Sequence, residues 1–427
     1  MTGPRRVNPL RHRDFRLLFW GQTASNFGSN AVMVAMAIYI TRTTGSPTDL
    51  GLILAAQTVP FVLLLLFGGV WADRLPRHRV MVVTDLIRGA LHAVLAVLIL
   101  AGVARVWQIA AIEFMFGAAW AFFQPAYTGL LPQTVPEDQI QAARALIEGS
   151  WNVTLVLGPA IATVLVLAVG AGEAFAADAG TFLISALTLM EIRPRVRGAA
   201  ATESRQSVAH ELRAGFREVA SRPWVWVTIA AFSLVVMCSF ATWEALGPAA
   251  VRDVYGHVGV FGVLVALFGV GSVAGSLLAT RWHPRRPLRD MLATAAMWPA
   301  MSIVVAVGPP RGVVAAWMLI AGVQSGMFMV IWETALAKHI PPDALSRVSS
   351  YDWMGSLALL PVGFVLAGPL AASFGVRPVL GVGGGIGVLA VFLALIPRST
   401  RELTDEPPTE RMPEPDVQPS SSRARSA

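Results

Sequence analysis

The chain has 427 residues, of which 55% are hydrophobic and 14% charged, with a net charge of +7. A soluble surface needs roughly a quarter to a third of its side chains charged, so a water-soluble protein is excluded. Cys238 is the sole cysteine, which excludes a disulfide scaffold as well; an integral membrane protein is what the composition leaves.

The first 16 residues carry Arg5, Arg6, Arg11, Arg13 and Arg16 ahead of an apolar run too long for a signal-peptide core, with no small-residue cleavage site after it. They read as a cytoplasmic N-terminal segment rather than a leader. About 20 apolar residues cross the hydrocarbon as a helix. Six such runs follow near 17–40, 49–72, 80–102, 106–130, 143–169 and 173–191, within a first half spanning 17–191. A polar connector over 192–223 contains a stretch, Ser207 to Ala220, with Val208, Leu212 and Phe216 at helical spacing, the pattern of an amphipathic surface helix. Six more runs lie near 224–248, 257–280, 290–308, 312–337, 346–371 and 376–396, within a second half spanning 224–397. The remaining stretch, 398–427, is rich in Pro, Ser, Glu and Arg and reads as a disordered cytoplasmic tail.

Charge placement orients these runs. With the N-terminus inside, the inner loops carry Arg74, Arg77, Arg79 and Arg144, seven arginines of the connector, then Arg281, Arg285, Arg286, Arg289, Lys338 and Arg347. The outer loops carry only Arg42, Arg105, Arg252, Arg311 and Arg377. This positive-inside bias predicts a multi-pass protein of the cell inner membrane with both termini cytoplasmic. The basic stretches lack interleaved aromatics and no zinc-finger or RNA-binding signature occurs, so nucleic acid is not an expected partner.

The hexapeptide Val135-Pro136-Glu137-Asp138-Gln139-Ile140 before the fifth run is echoed by Ile340-Pro341-Pro342-Asp343-Ala344-Leu345 before the eleventh. Proline at a helix start with an acid in the first turn is favourable N-terminal chemistry. The offset matches one half plus the connector to within two residues, as expected of two parallel repeats. The predicted fold is all-α and membrane-integral, with twelve transmembrane helices in two pseudo-repeated six-helix halves.

After the second run the chain reads Gly69-Val70-Trp71-Ala72-Asp73-Arg74-Leu75-Pro76-Arg77-His78-Arg79. This resembles the signature loop of the major facilitator superfamily, Gly-x-x-x-Asp-Arg-x-Gly-Arg-Arg/Lys, with Pro76 where the family usually has Gly. The resemblance implies a conformational latch formed by Gly69, Asp73, Arg74 and Arg77, in which Asp73 faces the start of the eleventh helix near Ser346. Further stretches, among them Leu10 to Leu18, Asp85-Leu86-Ile87-Arg88, Phe123-Gln124-Pro125-Ala126 and Ala177 to Phe182, look like the macrolide-efflux and enterobactin-exporter branch. Gly158-Pro159 in the fifth run is similar to the Gly-Pro element associated with antiporters.

A charge at the bilayer centre costs about 2.5–3.5 kcal/mol on insertion scales, so each one needs a reason. Asp85 and Arg88 share a helix face and read as a structural pair. Glu113 is the leading candidate for proton coupling, with Asp178 and Glu244 behind it. Gln22, Asn26 and Asn30 form a polar stripe, and with Trp120, Phe123, Trp151 and Trp243 they are candidate cavity-lining residues. No nucleophile–base set, ATP loop or metal cluster stands out, so neither an enzyme nor a cofactor is expected, and the proton gradient is the energy source. The expected function is proton-coupled export of a small amphipathic compound (a drug, macrolide or siderophore-like metabolite) by a monomer. An importer or facilitator of the same fold, or a membrane sensor or scaffold, are the alternatives.

Overall fold

A computed structural model of the chain describes residues 8–136, 139–194, 208–279, 281–282 and 284–404. The side chains of Gly69, Asp73, Arg74, Pro159 and Ser346 lie outside that description, as do the 405–427 part of the tail and the 195–207 part of the connector. The first half consists of α1 (Arg13–Thr43), α2 (Pro47–Arg74), α3 (Arg77–Leu100), α4 (Val106–Leu130), α5 (Ile140–Ala168) and α6 (Ala171–Met190). Helix α7 (Val208–Ala220) belongs to the connector. The second half holds α8 (Pro223–Val235), α9 (Ala241–Tyr255), α10 (Gly259–Ala279), α11 (Pro287–Ala295), α12 (Met297–Val307), α13 (Arg311–His339), α14 (Pro342–Leu357), α15 (Leu360–Phe374) and α16 (Val376–Leu393), followed by the short α17 (Arg398–Arg401).

Ten helical segments among the described residues are long and apolar enough to cross a membrane. Helices α1 and α5, with 31 and 29 residues, match them in length. Positive-φ glycines mark the turns of one face, while prolines start helices on both, at Pro47 and Pro310 on this one. Gly45, Gly102, Gly170, Gly256, Gly308 and Gly375 all adopt positive φ, and they end α1, α3, α5, α9, α12 and α15. A left-handed residue at a helix end satisfies the terminal carbonyls, and glycine does so without a Cβ clash. The opposite face, which bears the connector, starts its helices at Pro76, Pro223, Pro287 and Pro342, where a missing N–H costs nothing.

Three spans expected as single runs are divided in the second half. A π-helical turn, Val236–Phe240, separates α8 from α9, while α11 ends and α12 begins around Ala296, and α14 gives way to α15 after Leu357. Pro299 and Pro361 lie just past two of these breaks, and each lacks the N–H that would carry the helix through. The first-half helices run unbroken although α2 and α4 contain Pro60 and Pro125.

Packing repeats between the halves. In the first, α2 lies along α4 and α3 along α6; in the second, α10 lies along α13 and α12 along α16. The α10–α13 contact is a reciprocal lock of small residues. A Cβ on Gly271 or Gly275 would lie 2.1 and 1.9 Å from the Leu319 and Val323 carbonyl oxygens, and one on Gly322 or Gly326 would lie 2.0 and 1.9 Å from those of Phe268 and Ser272.

The extensive contacts between the halves are α2 on α15 and α5 on α10. Gly51 lies beneath the Phe364 carbonyl, Gly368 against Thr48, and Gly262 against Thr163, while Arg252 donates to the Thr41 carbonyl at 3.2 Å. All of these lie toward the glycine-turn face. The hydrophobic cores follow suit: one cluster joins Met36, Leu50 and Phe175 of the first half to Trp243, Phe261 and Phe364 of the second. Toward the connector face the cores are separate, Phe15, Met81 and Phe123 in one, Trp224, Phe328 and Val348 in the other. The α7 helix caps the second of these through Val219, with Phe216 exposed beside Tyr351.

The glycine lock gives a direct stability test. Gly275→Leu should lower the thermal unfolding midpoint in detergent, because overpacking against a backbone carbonyl costs about 1–3 kcal/mol or more. Gly385→Ala should leave the midpoint unchanged, since nothing lies within 4 Å of a Cβ there.

Candidate functional site

The first half buries a connected set of charged side chains. Asp85, Arg88 and His92 fall on one face of α3 through spacings of three and four residues. Unbroken α3 carries them into the space between α4, α6 and α1, and all three are buried. Asp85 pairs with Arg88 and accepts from Ser185 Oγ at 2.6 Å, and Gln22 Nε2 donates to Ser185 Oγ at 2.8 Å. The Arg88 guanidinium also lies over the rings of Phe123 and Phe182, 4.1 and 4.6 Å from their centroids. Cation–π contact of this kind adds attraction where water is absent.

One turn further along α3, His92 sits between two carboxylates. Its Nδ1 is 2.5 Å from Asp178 Oδ2 on α6, and its Nε2 is 3.5 Å from Glu113 Oε1 on α4. Asp178 is fully buried and accepts a further bond from Thr181 at 3.2 Å; Gln57 Nε2 of α2 donates to Glu113 Oε2 at 2.8 Å. His92 Nε2 and Glu113 Oε1 are both buried without a hydrogen-bond partner, so a small approach of α3 and α4 would complete the chain. Phe116 stacks on the imidazole at 4.3 Å, while Phe175 and Phe182 meet it edge-on. These rings exclude water, and the side chains themselves must then balance the charge.

With both carboxylates ionised and the imidazole protonated the set would carry a net charge of −1, and one further proton would make it neutral. A carboxylate–imidazole–carboxylate chain can pass that proton between its ends, because each imidazole nitrogen can serve as donor or acceptor. An apolar cage makes the difference between the two charge states energetically large.

The structure brings Glu113 and Asp178 together through His92, a residue that reading the acids alone passes over. The signal was in the sequence as the Asp85–Arg88–His92 spacing. Asp178, on α6, turns into the half and is fully buried. Glu244 stands apart on α9, buried, with no hydrogen bond or ion pair among the described residues.

The cavity-lining candidates divide. Gln22, Phe123 and Trp243 are buried against neighbours, so in this conformation they do not line an open cavity; Gln22 is held by Ser185, Phe123 by Arg88 and Tyr127, and Trp243 by Phe261. Asn26, Asn30 and Trp120 are half-buried, with Asn30 Nδ2 donating to the Asn26 carbonyl at 2.9 Å and Trp120 stacked on Phe61 at 4.3 Å. Trp151 is exposed. Gly158 brings α5 against Asn30 of α1, where a Cβ would lie 2.7 Å from the Asn30 Cβ. Of the latch residues, Arg77 donates from Nη1 to the Gly129 carbonyl at 2.7 Å, binding the start of α3 to the last turn of α4, where a cation complements the helix dipole.

Over residues 5–426 the sequence matches the family described as transmembrane secretion effector. It is 27% identical over 400 residues to the multidrug efflux pump Tap of Mycolicibacterium fortuitum, covering 88% of this chain and 95% of that one. It is 23% identical over 380 residues to macrolide efflux protein A of Streptococcus pyogenes, covering 86% and 92%. Among solved structures, a mutant form of the nucleoside transporter NupG superposes with a TM-score of 0.71 at 12% identity, covering 89% of this chain and 98% of that one. A D-xylose–proton symporter gives a TM-score of 0.69 at 14% identity, covering 91% and 99%. At such identities the structural likeness establishes the fold.

The Asp85–Arg88 pair should behave as a buried ion pair does. Arg88→Leu, which strands the Asp85 carboxylate, should cost about 3–5 kcal/mol of stability. Adding Asp85→Asn should restore a large part of that loss, both read by thermal unfolding in detergent.

Proposed function

Since the chain belongs to the transmembrane secretion effector family of the major facilitator superfamily, we propose that it exports small amphipathic compounds in exchange for protons. The family consists of secondary transporters, not enzymes. The class of cargo follows the printed names of the relatives, a multidrug pump and a macrolide efflux protein. The protein would act as a monomer in the cell inner membrane, its connector face cytoplasmic because the arginines collect there.

The observation that carries proton exchange is the Glu113–His92–Asp178 chain. It lies within one half and joins α3, α4 and α6. A proton gained or lost there changes the charge that these helices must enclose, and so changes how closely they pack. Coupling requires that the two access states hold this proton with different affinity. With the arginine face inside, the merged outer core and separated inner cores correspond to a conformation open to the cytoplasm, ready to take cargo from that side. Gly69, Asp73 and Arg74 would latch the inner side to the start of α14 when the transporter turns outward.

In inverted membrane vesicles energised with a proton gradient, the wild type should accumulate a fluorescent drug, and an uncoupler should abolish the accumulation. His92→Gln and Glu113→Gln should each lower gradient-driven uptake at least tenfold while downhill movement persists. Accumulation that survives the uncoupler would remove proton exchange, and a Glu113→Gln variant with normal gradient-driven rate would remove that residue from it.

A further inference from the structure

Glu244 is the one buried carboxylate of the second half, among the described residues, that the first-half chain cannot serve. It is 8% exposed and makes no hydrogen bond or ion pair among those residues. Every other buried acid among them has a partner: Asp85 has Arg88 and Ser185, Glu113 has Gln57, and Asp178 has His92 and Thr181. Leaving a charge unpaired in the interior is costly, so a carboxylate without a partner is held as the neutral acid until a counter-charge arrives from elsewhere.

Two features of the backbone point to the same place. Glu244 lies one turn beyond the π-helical turn Val236–Phe240, and single π turns inside α-helices concentrate at functional sites. Four residues later, Pro248 has no N–H to donate to the Glu244 carbonyl. The side chain and the main chain of one residue thus both offer an acceptor.

A run of aromatic rings begins one turn before it. Phe240 precedes Glu244 by four residues, and side chains at that spacing are neighbours on a helix. The Phe240 ring is 6.1 Å from Trp298 of α12, Trp298 is 6.1 Å from Phe232 of α8, and Phe232 stacks on Phe328 of α13 at 4.5 Å. Phe232, Phe240 and Trp298 are all half-buried, so their faces are not fully used by packing. Aromatic faces with a carboxylate at one end suit a ligand that is hydrophobic along its length and positively charged at one point.

We propose that Glu244, with Phe240, Trp298 and Phe232, binds the positive centre of a monocationic amphipathic substrate. This names the class of cargo within the export reading above and rests on it. It also divides labour between the halves: the first handles the proton, and the second recognises the charge of the cargo.

The test is equilibrium binding to purified, full-length protein with no gradient present, so that failed export and failed recognition give separate readings. Tetraphenylphosphonium is the cationic probe and chloramphenicol the neutral one. Glu244→Gln should weaken tetraphenylphosphonium binding at least tenfold and leave chloramphenicol binding within twofold, while Glu244→Asp keeps most of the cation affinity. Equal loss of both probes would assign Glu244 a structural role and overturn the proposal, as would wild-type-like cation binding by Glu244→Gln. Should Glu244→Gln not fold, the wild type serves directly: dicyclohexylcarbodiimide labelling of Glu244, mapped by mass spectrometry, should be blocked by tetraphenylphosphonium and not by chloramphenicol. Labelling that the cation does not block would equally overturn the proposal.

Discussion

A membrane bundle has no water with which to settle its charges, and in the first half of this protein that constraint falls on His92. Two carboxylates from different helices, Glu113 and Asp178, approach one imidazole within a ring of phenylalanines. Were the imidazole absent, two acids would share an apolar enclosure with hydroxyl and amide donors alone, an arrangement that costs several kcal/mol per uncompensated charge. The packing of α3 against α4 and α6 depends on that charge balance. So does any difference between protonated and deprotonated forms of the half.

The halves share a plan and differ in chemistry. Both run their helix pairs in the same order, and both use positive-φ glycines at the turns of one face. The first half keeps its helices continuous and fills its interior with paired charges. The second divides three of its spans, at a π turn and beside Pro299 and Pro361, and joins α12 to the π turn by neutral hydroxyls, Ser239 to Ser302 at 3.1 Å. Continuous helices hold a charged cluster to fixed distances, while interrupted ones can bend where cargo must enter. A repeated scaffold with one continuous and one interrupted copy suits the proposed cycle, in which a proton and a bulky solute take different routes.

Much of this was legible in the residues. Apolar runs marked out the helices, arginine placement set their expected sidedness, and the glycine, acid and arginines from Gly69 to Arg79 carried the family resemblance. Glu113 stood out because a buried acid needs a reason. Partnership across helices was beyond reach of the sequence. His92 is four residues beyond Arg88 on the same face, but its importance depends on Asp178 lying 86 positions away in the chain and only 2.5 Å away in space. Gln22, Phe123 and Trp243 read as cavity residues by type, yet each turns toward a neighbour that periodicity along a single helix does not reveal. The Asp73 side chain and that of Ser346 near the start of α14 lie outside the described residues, so the latch stands as part of the proposed cycle.

In the proposed cycle the His92-centred cluster exchanges a proton as cargo binds. Substrate-evoked proton release from purified protein in weakly buffered detergent solution measures this most directly. The wild type should give a stoichiometric pulse of protons, and a folded His92→Gln variant that still binds cargo should give none. A pulse of wild-type size from that variant would place proton exchange elsewhere in the protein and rule out the His92-centred cluster as its site.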